Sequence, residues 1–200
     1  NVWQVRQVAA HFLRCFQSCH RFMFSKSQTE FTTNIVAALL SDERREVSSA
    51  ALATLIGILA VTPTTDVGSL VKRFERLSIH SIPPRKRTAP SKDNMKNQES
   101  KQSDKESERL NTQQSSVFFL CAAILSRPYT TPSFVPIALA AISKHSFEKN
   151  APLTVRETVK KCCSEYKRTH VDQWQVHRRK FTQLQLEALD DVVSTPHYYA

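Results

Sequence analysis

Apolar residues recur at three- and four-residue steps along most of this 200-residue chain, and no stretch alternates residue by residue. A helix turns one side inward about every 3.6 residues and a half-buried strand every second one, so this spacing reads as helix. Val5, Val8, Phe12, Cys15, Phe16, Cys19 and Met23 make one such face over residues 2–24. Phe31, Ile35, Val36, Leu39 and Leu40 mark a second, shorter helix. Val47, Ala51, Leu55, Ile58 and Leu59 mark a third, and Val67, Leu70, Val71, Phe74 and Leu77 a fourth over about 66–78. Beyond Ser116, Val117, Phe118, Leu120, Cys121, Ile124 and Leu125 predict a buried helix. Four more follow, through Val135 to Ile142, Val155 to Tyr166, the basic stretch around Trp174 (about 171–180), and Leu186, Leu189 and Val193. Glycine occurs only at Gly57 and Gly68. That excludes glycine-rich phosphate loops and a turn-rich β fold.

Several ends of these helices are marked. Ser41 is placed to cap the third helix, with Asp42 and Glu43 at the positive end of its dipole. Thr62-Pro63 stops it, because the residue before proline is pushed out of the helical region. Arg127-Pro128 ends the buried helix, and Ser133 caps the next. Thr154 with Glu157, and Thr182 with Gln185, have the spacing of capping boxes, in which each side chain satisfies the other's backbone amide. Phe181 and Leu186 flank the second box as a hydrophobic staple. Pro196 bars continuation of the last helix and leaves an extended tail.

Composition changes between residues 80 and 114. Pro83, Pro84 and Pro90 stand among Lys, Glu, Ser, Gln and Asn, with only Ile82, Ala89, Met95 and Leu110 of hydrophobic type. Such a stretch buries too little apolar surface to offset its ordering entropy, so it is expected to be a disordered insertion. Arg85-Lys86-Arg87 within it is a candidate nuclear localisation element.

Nine candidate helices with short loops predict an all-α fold, a HEAT-like α-solenoid of stacked antiparallel helix pairs. Three helices open alike, at Val5-Arg6-Gln7-Val8, Val47-Ser48-Ser49-Ala50 and Val155-Arg156-Glu157-Thr158. The first two lie 42 residues apart, within the HEAT period of about 40–47. The division expected is 1–79 repeats, 80–114 insertion, 115–194 repeats and cap, and 195–200 an extended tail. Helix-like sequence already at Val2-Trp3-Gln4-Val5, after Asn1, reads as a piece of a longer repeat protein, with an open repeat interface on its N-terminal face.

The five cysteines are odd in number and fit a reducing compartment better than a disulfide framework. The longest nearly apolar run, 12 residues from Ala50 to Val61, is a core helix and too short for a membrane span. His11, Cys15 and Cys19 read as packing on a shared face, not as metal ligands, and Cys162 and Cys163 as one buried and one half-buried thiol. No catalytic constellation or cofactor motif stands out, so the chain is expected to be non-enzymatic. A net charge of +10 favours acidic partners. Lys160, Lys161, Lys167, Arg168, Arg178, Arg179 and Lys180 form a basic group near the tail. An adaptor binding chromatin or nucleic acid through that surface is the alternative reading. The tail, Thr195-Pro196-His197-Tyr198-Tyr199-Ala200, presents two aromatic anchors and a terminal carboxylate. Its five residues from Pro196 reach at most about 17 Å, enough to enter a pocket while the last helix stays outside.

The chain resembles the proteasome activator complex subunit 4 family of large HEAT-repeat activators. The resemblance is carried by Leu39-Leu40-Ser41-Asp42-Glu43 with Glu46-Val47, by Leu70-Val71-Lys72-Arg73-Phe74 leading to Ile82-Pro83-Pro84-Arg85-Lys86-Arg87, and by Leu125-Ser126-Arg127-Pro128-Tyr129. Thr158-Val159-Lys160-Lys161, the long run Tyr166 to His177, Phe181-Thr182 and Tyr198-Tyr199-Ala200 complete it. The family implies capping of the α-ring of the 20S proteasome and stimulated degradation without ATP or ubiquitin. It implies residence in nucleus and cytosol, and a C-terminal hydrophobic-Tyr-X motif that inserts between α subunits. Here that motif falls on Tyr198, Tyr199 and Ala200. The family is also credited with binding acetylated histones through a region overlapping about residues 10–95, and with roles in DNA repair and spermatogenesis. The resemblance assigns no acetyl-lysine-binding residue on this sequence. The Lys/Ser/Gln/Glu stretch after Arg87 departs from the vertebrate pattern.

Overall fold

The structure, a computed structural model, describes residues 2–83 and 99–193. Its helices are α1 Trp3–His20, α2 Lys26–Ala38, α3 Arg45–Val61, α4 Thr64–His80, α5 Glu99–Leu125, α6 Phe134–Ser146, α7 Leu153–Thr169, α8 Trp174–His177 and α9 Gln183–Val193. Short 3-10 turns follow α2 (Leu39–Ser41) and α8 (Arg178–Lys180). No strand occurs among the described residues.

The helices form two layers. In one, α1 packs on α3, α3 on α5 and α5 on α7. In the other, α4 packs on α6 and α6 on α9, while α2–α3, α4–α5 and α6–α7 join the layers. This is the stacking of a HEAT-like α-solenoid. The three helices that open alike, α1, α3 and α7, all fall in the first layer. The long interval between the second and third is filled by α5, which belongs to that layer and lacks the signature.

α5 is the centre of the stack. It touches α3, α4, α6 and α7, and every residue from Val117 to Ile124 is buried. A helix apolar on all sides must be covered on all sides. Phe119 stacks on Phe74 of α4 with ring centroids 3.8 Å apart and planes 10° from parallel. Arg127, just past α5, donates from Nη1 to the Ala60 carbonyl at 2.8 Å and from Nη2 to that of Thr62. It thereby satisfies the open carbonyls at the end of α3 that Thr62-Pro63 leaves behind.

α5 begins at Glu99, not at Ser116, so residues 99–114, expected to belong to a disordered insertion over 80–114, are helical. Apolar counting missed 104–116 because this stretch joins the stack through polar groups. Arg109 donates to the Ser81 carbonyl, Gln114 to the Leu40 carbonyl at 2.8 Å, and Gln113 is wholly buried. Arg85, Lys86 and Arg87 lie outside the described residues.

Gln113 belongs to a buried polar cluster. Its amide donates to His145 Nδ1 and to Glu148, each at 2.9 Å. The remaining proton of the His145 ring then sits on Nε2, 2.6 Å from Ser78 Oγ. Burial, with the nearby Lys144 charge, pushes the His145 pKa down to about 4, against an ordinary 6.5. The unfolded chain therefore binds a proton that the folded chain refuses between those two values. Stability from this group is complete above pH 6.5 and is lost as pH falls toward 4, by on the order of 3 kcal/mol. Denaturant titrations across this range should show a slope in the parent chain that His145→Gln flattens.

α1 corrects a sequence expectation. Its predicted packing face is exposed: Val5, Val8 and Phe12 stay more than 60% accessible, and Cys15, Phe16, Cys19 and Met23 are exposed too. The helix instead turns Ala10 and Gln17 inward, where the Thr54 hydroxyl donates to the Ala10 carbonyl at 2.9 Å. No described element lies against the apolar side, and Phe31 and Ile35 of α2 are exposed as well. Periodicity identifies a face that suits a neighbour; it does not supply one. α2 starts earlier than predicted, because Ser25 and Gln28 form a capping box, with Gln28 Oε1 accepting the Ser25 amide at 2.8 Å.

Candidate docking end

The C-terminal elements present whatever follows residue 193. α7 turns Val155, Val159, Cys162, Cys163 and Tyr166 inward. It starts at Leu153 behind Pro152, with no side-chain cap, so the box expected at Thr154 and Glu157 does not form. Thr154 already lies inside the helix, and Glu157 faces Arg45 of α3 at 3.4 Å. Ser133 likewise makes no capping bond at α6. At α3, which starts at Arg45 with no side-chain cap, Ser41 does not cap the helix either; the neighbouring Asp42 accepts the Arg44 amide at 2.9 Å and is held by Arg6 of α1 at 2.6 Å. That pairing lowers the Asp42 pKa.

Both Cys162 and Cys163 are buried, where one half-exposed thiol was expected. Contact with Cys121 and burial raise the Cys162 pKa well above the ordinary thiol range, and burial raises that of Cys163. They are protonated packing groups rather than thiolate nucleophiles. Among the described residues no three His, Cys, Asp or Glu side chains converge as metal ligands.

The turn between α5 and α6 is the anchor of the end. Thr131 Oγ1 lies 2.7 Å from Tyr166 Oη and 2.9 Å from His177 Nδ1. Lys180 donates to the Thr131 carbonyl at 3.0 Å, and the His170 ring reaches the Thr130 carbonyl at 3.2 Å. One short loop thus ties down α7, α8 and the turn after it. Tyr129 beside it adopts φ 67°, a left-handed conformation that costs a non-glycine residue roughly 1 kcal/mol. Rings fill the space between these groups: His170 packs 4.1 Å from Tyr166 and 4.6 Å from His177, and Trp174 lies 6.1 Å from Phe181. Burial pushes the Tyr166 phenol up to about 12 and the His177 imidazole down. Tyr166→Phe should cost only about 1 kcal/mol in unfolding free energy, because Thr131 keeps His177 as a partner. A larger loss on thermal or denaturant unfolding would mean that the phenol has further partners.

α9 rests on this platform. Its capping box forms as the sequence indicates: the Thr182 amide donates to Gln185 Oε1 at 2.9 Å and the Gln185 amide to Thr182 Oγ1 at 3.4 Å. Phe181 is buried and Leu186 partly so, in the staple positions, while Leu189 and Val192 are buried against the stack. Lys167 pairs with Asp190 and lies 5.3 Å from the Trp174 ring. The basic group read from the sequence is therefore divided. Lys167, Arg168 (to Glu165) and Lys180 are engaged within the fold, whereas Lys160, Lys161, Arg178 and Arg179 are exposed. Tyr198, Tyr199 and Ala200 lie outside the described residues.

The fold and this end define an all-α helical-repeat protein whose last helix is clamped onto the stack. Residues 110–200 match the family described as proteasome activator complex subunit 4-like, C-terminal. Over 99% of its length the chain is 31% identical to proteasome activator complex subunit 4 of Homo sapiens and 32% to subunit 4A of Danio rerio. Proteasome activator subunit 4 of Arabidopsis thaliana is 28% identical over the same share. The chain belongs to the proteasome activator complex subunit 4 family, and spans about 10% of the length of each of these relatives.

Proposed function

We propose that this chain is the docking end of an activator that caps the α-ring of the 20S proteasome and promotes opening of its gate. The observation that supports this most is that the family match runs through residue 200 and so takes in Tyr198-Tyr199-Ala200. The Ala200 carboxylate pairs with a lysine in a cleft between α subunits, and Tyr199 wedges at the rim of that cleft. A tail that fits the open ring better than the closed one shifts the gate by that difference in affinity. α9 fixes where the tail starts, which lowers the ordering cost of insertion. Degradation in this reading needs neither ATP nor ubiquitin, and acetylated histones are among its substrates. Residence in nucleus and cytosol, with Arg85, Lys86 and Arg87 as the import element, belongs to the same proposal.

A peptide of the last eight residues, Val193 to Ala200, tests the mechanism. It should stimulate cleavage of short fluorogenic peptides by purified core particle, and its Tyr199→Ala version should not. Equal stimulation by both peptides would refute the role given to Tyr199.

A further inference from the structure

The second layer holds a feature that tail insertion leaves unused. Lys72 and Arg76 lie one turn apart on α4, and Lys144 lies near the end of α6. All three line one hollow of about 520 Å³, together with Ile137 of α6 and Gln185 from the first turn of α9. Glu75 is the single carboxylate on its wall, leaving a surplus of two positive charges. The three cations are exposed, and none takes part in an ion pair among the described residues. Three other exposed cations do close on neighbouring carboxylates: Lys26 on Asp66, Arg45 on Glu157 and Arg168 on Glu165. Like charges gathered around one hollow repel each other and focus a field that an anionic group relieves. The half-buried Ile137 adds an apolar surface, which suits a carboxylate on a carbon stem better than a bare inorganic ion.

Position adds to the charge argument. Gln185 belongs to the helix that leads to the tail, and the 11 residues of α9 extend about 16 Å. A surface that received the tail would therefore lie within reach of this hollow. We propose that the hollow between α4, α6 and α9 is an electrostatic docking patch that takes a Glu/Asp-rich protein segment on the same partner that receives the tail. The inference rests on the tail-docking reading above and adds a second contact with a different kinetic role. Exposed complementary charge accelerates encounter, whereas a lodged anchor slows escape.

The test uses the full-length protein carrying Lys72→Glu, Arg76→Glu and Lys144→Glu together, with association to immobilised core particle followed at low and high salt. The association rate at low salt should fall about tenfold or more, with its salt dependence flattened and the dissociation rate little changed. Glutamine at the same three positions, which removes charge without adding any, should give a smaller drop in the same direction. Tyr199→Ala should instead speed dissociation. An unchanged association rate in the charge-reversed protein would overturn the patch while leaving tail docking intact. An equal drop on reversing Lys160, Arg178 and Arg179 would overturn it too, since net charge alone would then suffice. A parent protein that fails to bind core particle would overturn both readings.

Discussion

Replacing Phe119 by alanine lowers the unfolding free energy of this chain by about 3–5 kcal/mol, read as a shift of the denaturant midpoint. Phe119 is fully buried in the C-terminal part of α5, the helix enclosed by α3, α4, α6 and α7. Truncation removes its stacking partner from Phe74 and leaves a void that helices packed on four sides cannot close by collapsing. Phe12→Ala on α1 provides the contrast. That ring is 62% exposed, and its removal should change stability by no more than about 0.5 kcal/mol. Two phenylalanines on apolar stretches of helix thus differ several-fold in effect, and the difference lies in what covers them.

Leu189→Ala is the second large effect, of different character. Leu189 is fully buried beneath α9, so truncation should cost about 2–5 kcal/mol locally. α9 rests on α6 and α7 and has no described neighbour on its outer side, so it can detach without unfolding the rest. Hydrogen exchange should quicken along α9 and stay slow in α5. The same substitution in the full-length protein should weaken association with core particle although the tail sequence is intact, because the tail loses its fixed base. Uniformly faster exchange along α5 and α9 would mean that the end is not an independent unit.

The helices were legible wherever burial is apolar and periodic, as at Val117 to Ile124 or Val155 to Tyr166. Two kinds of information were not. Polar burial escaped, because Gln113, Arg109 and Gln114 enter the stack through partners 28 to 74 residues away that no local pattern encodes. Competition between equivalent signals escaped as well. Thr154 with Glu157 and Thr182 with Gln185 share one spacing, yet only the second forms a box, because Pro152 opens α7 ahead of Thr154. Ser25 and Gln28 carried the same signal and form a box where the apolar pattern breaks. The platform of the docking end was partly legible. Trp174 marked the short basic helix and Phe181 the staple of the last one, but Thr131, which draws in Tyr166, His177 and Lys180, gave no signal in the sequence.

The account turns on a free acid at the end of an aromatic tail. Association of full-length protein with purified core particle should be compared between the native end, the same end converted to an amide, and a chain lacking Ala200. The native end should bind and stimulate peptide cleavage, while amidation or removal of Ala200 should abolish stimulation and shorten the lifetime of the complex at least tenfold. Undiminished binding and stimulation by the amidated protein would contradict the account.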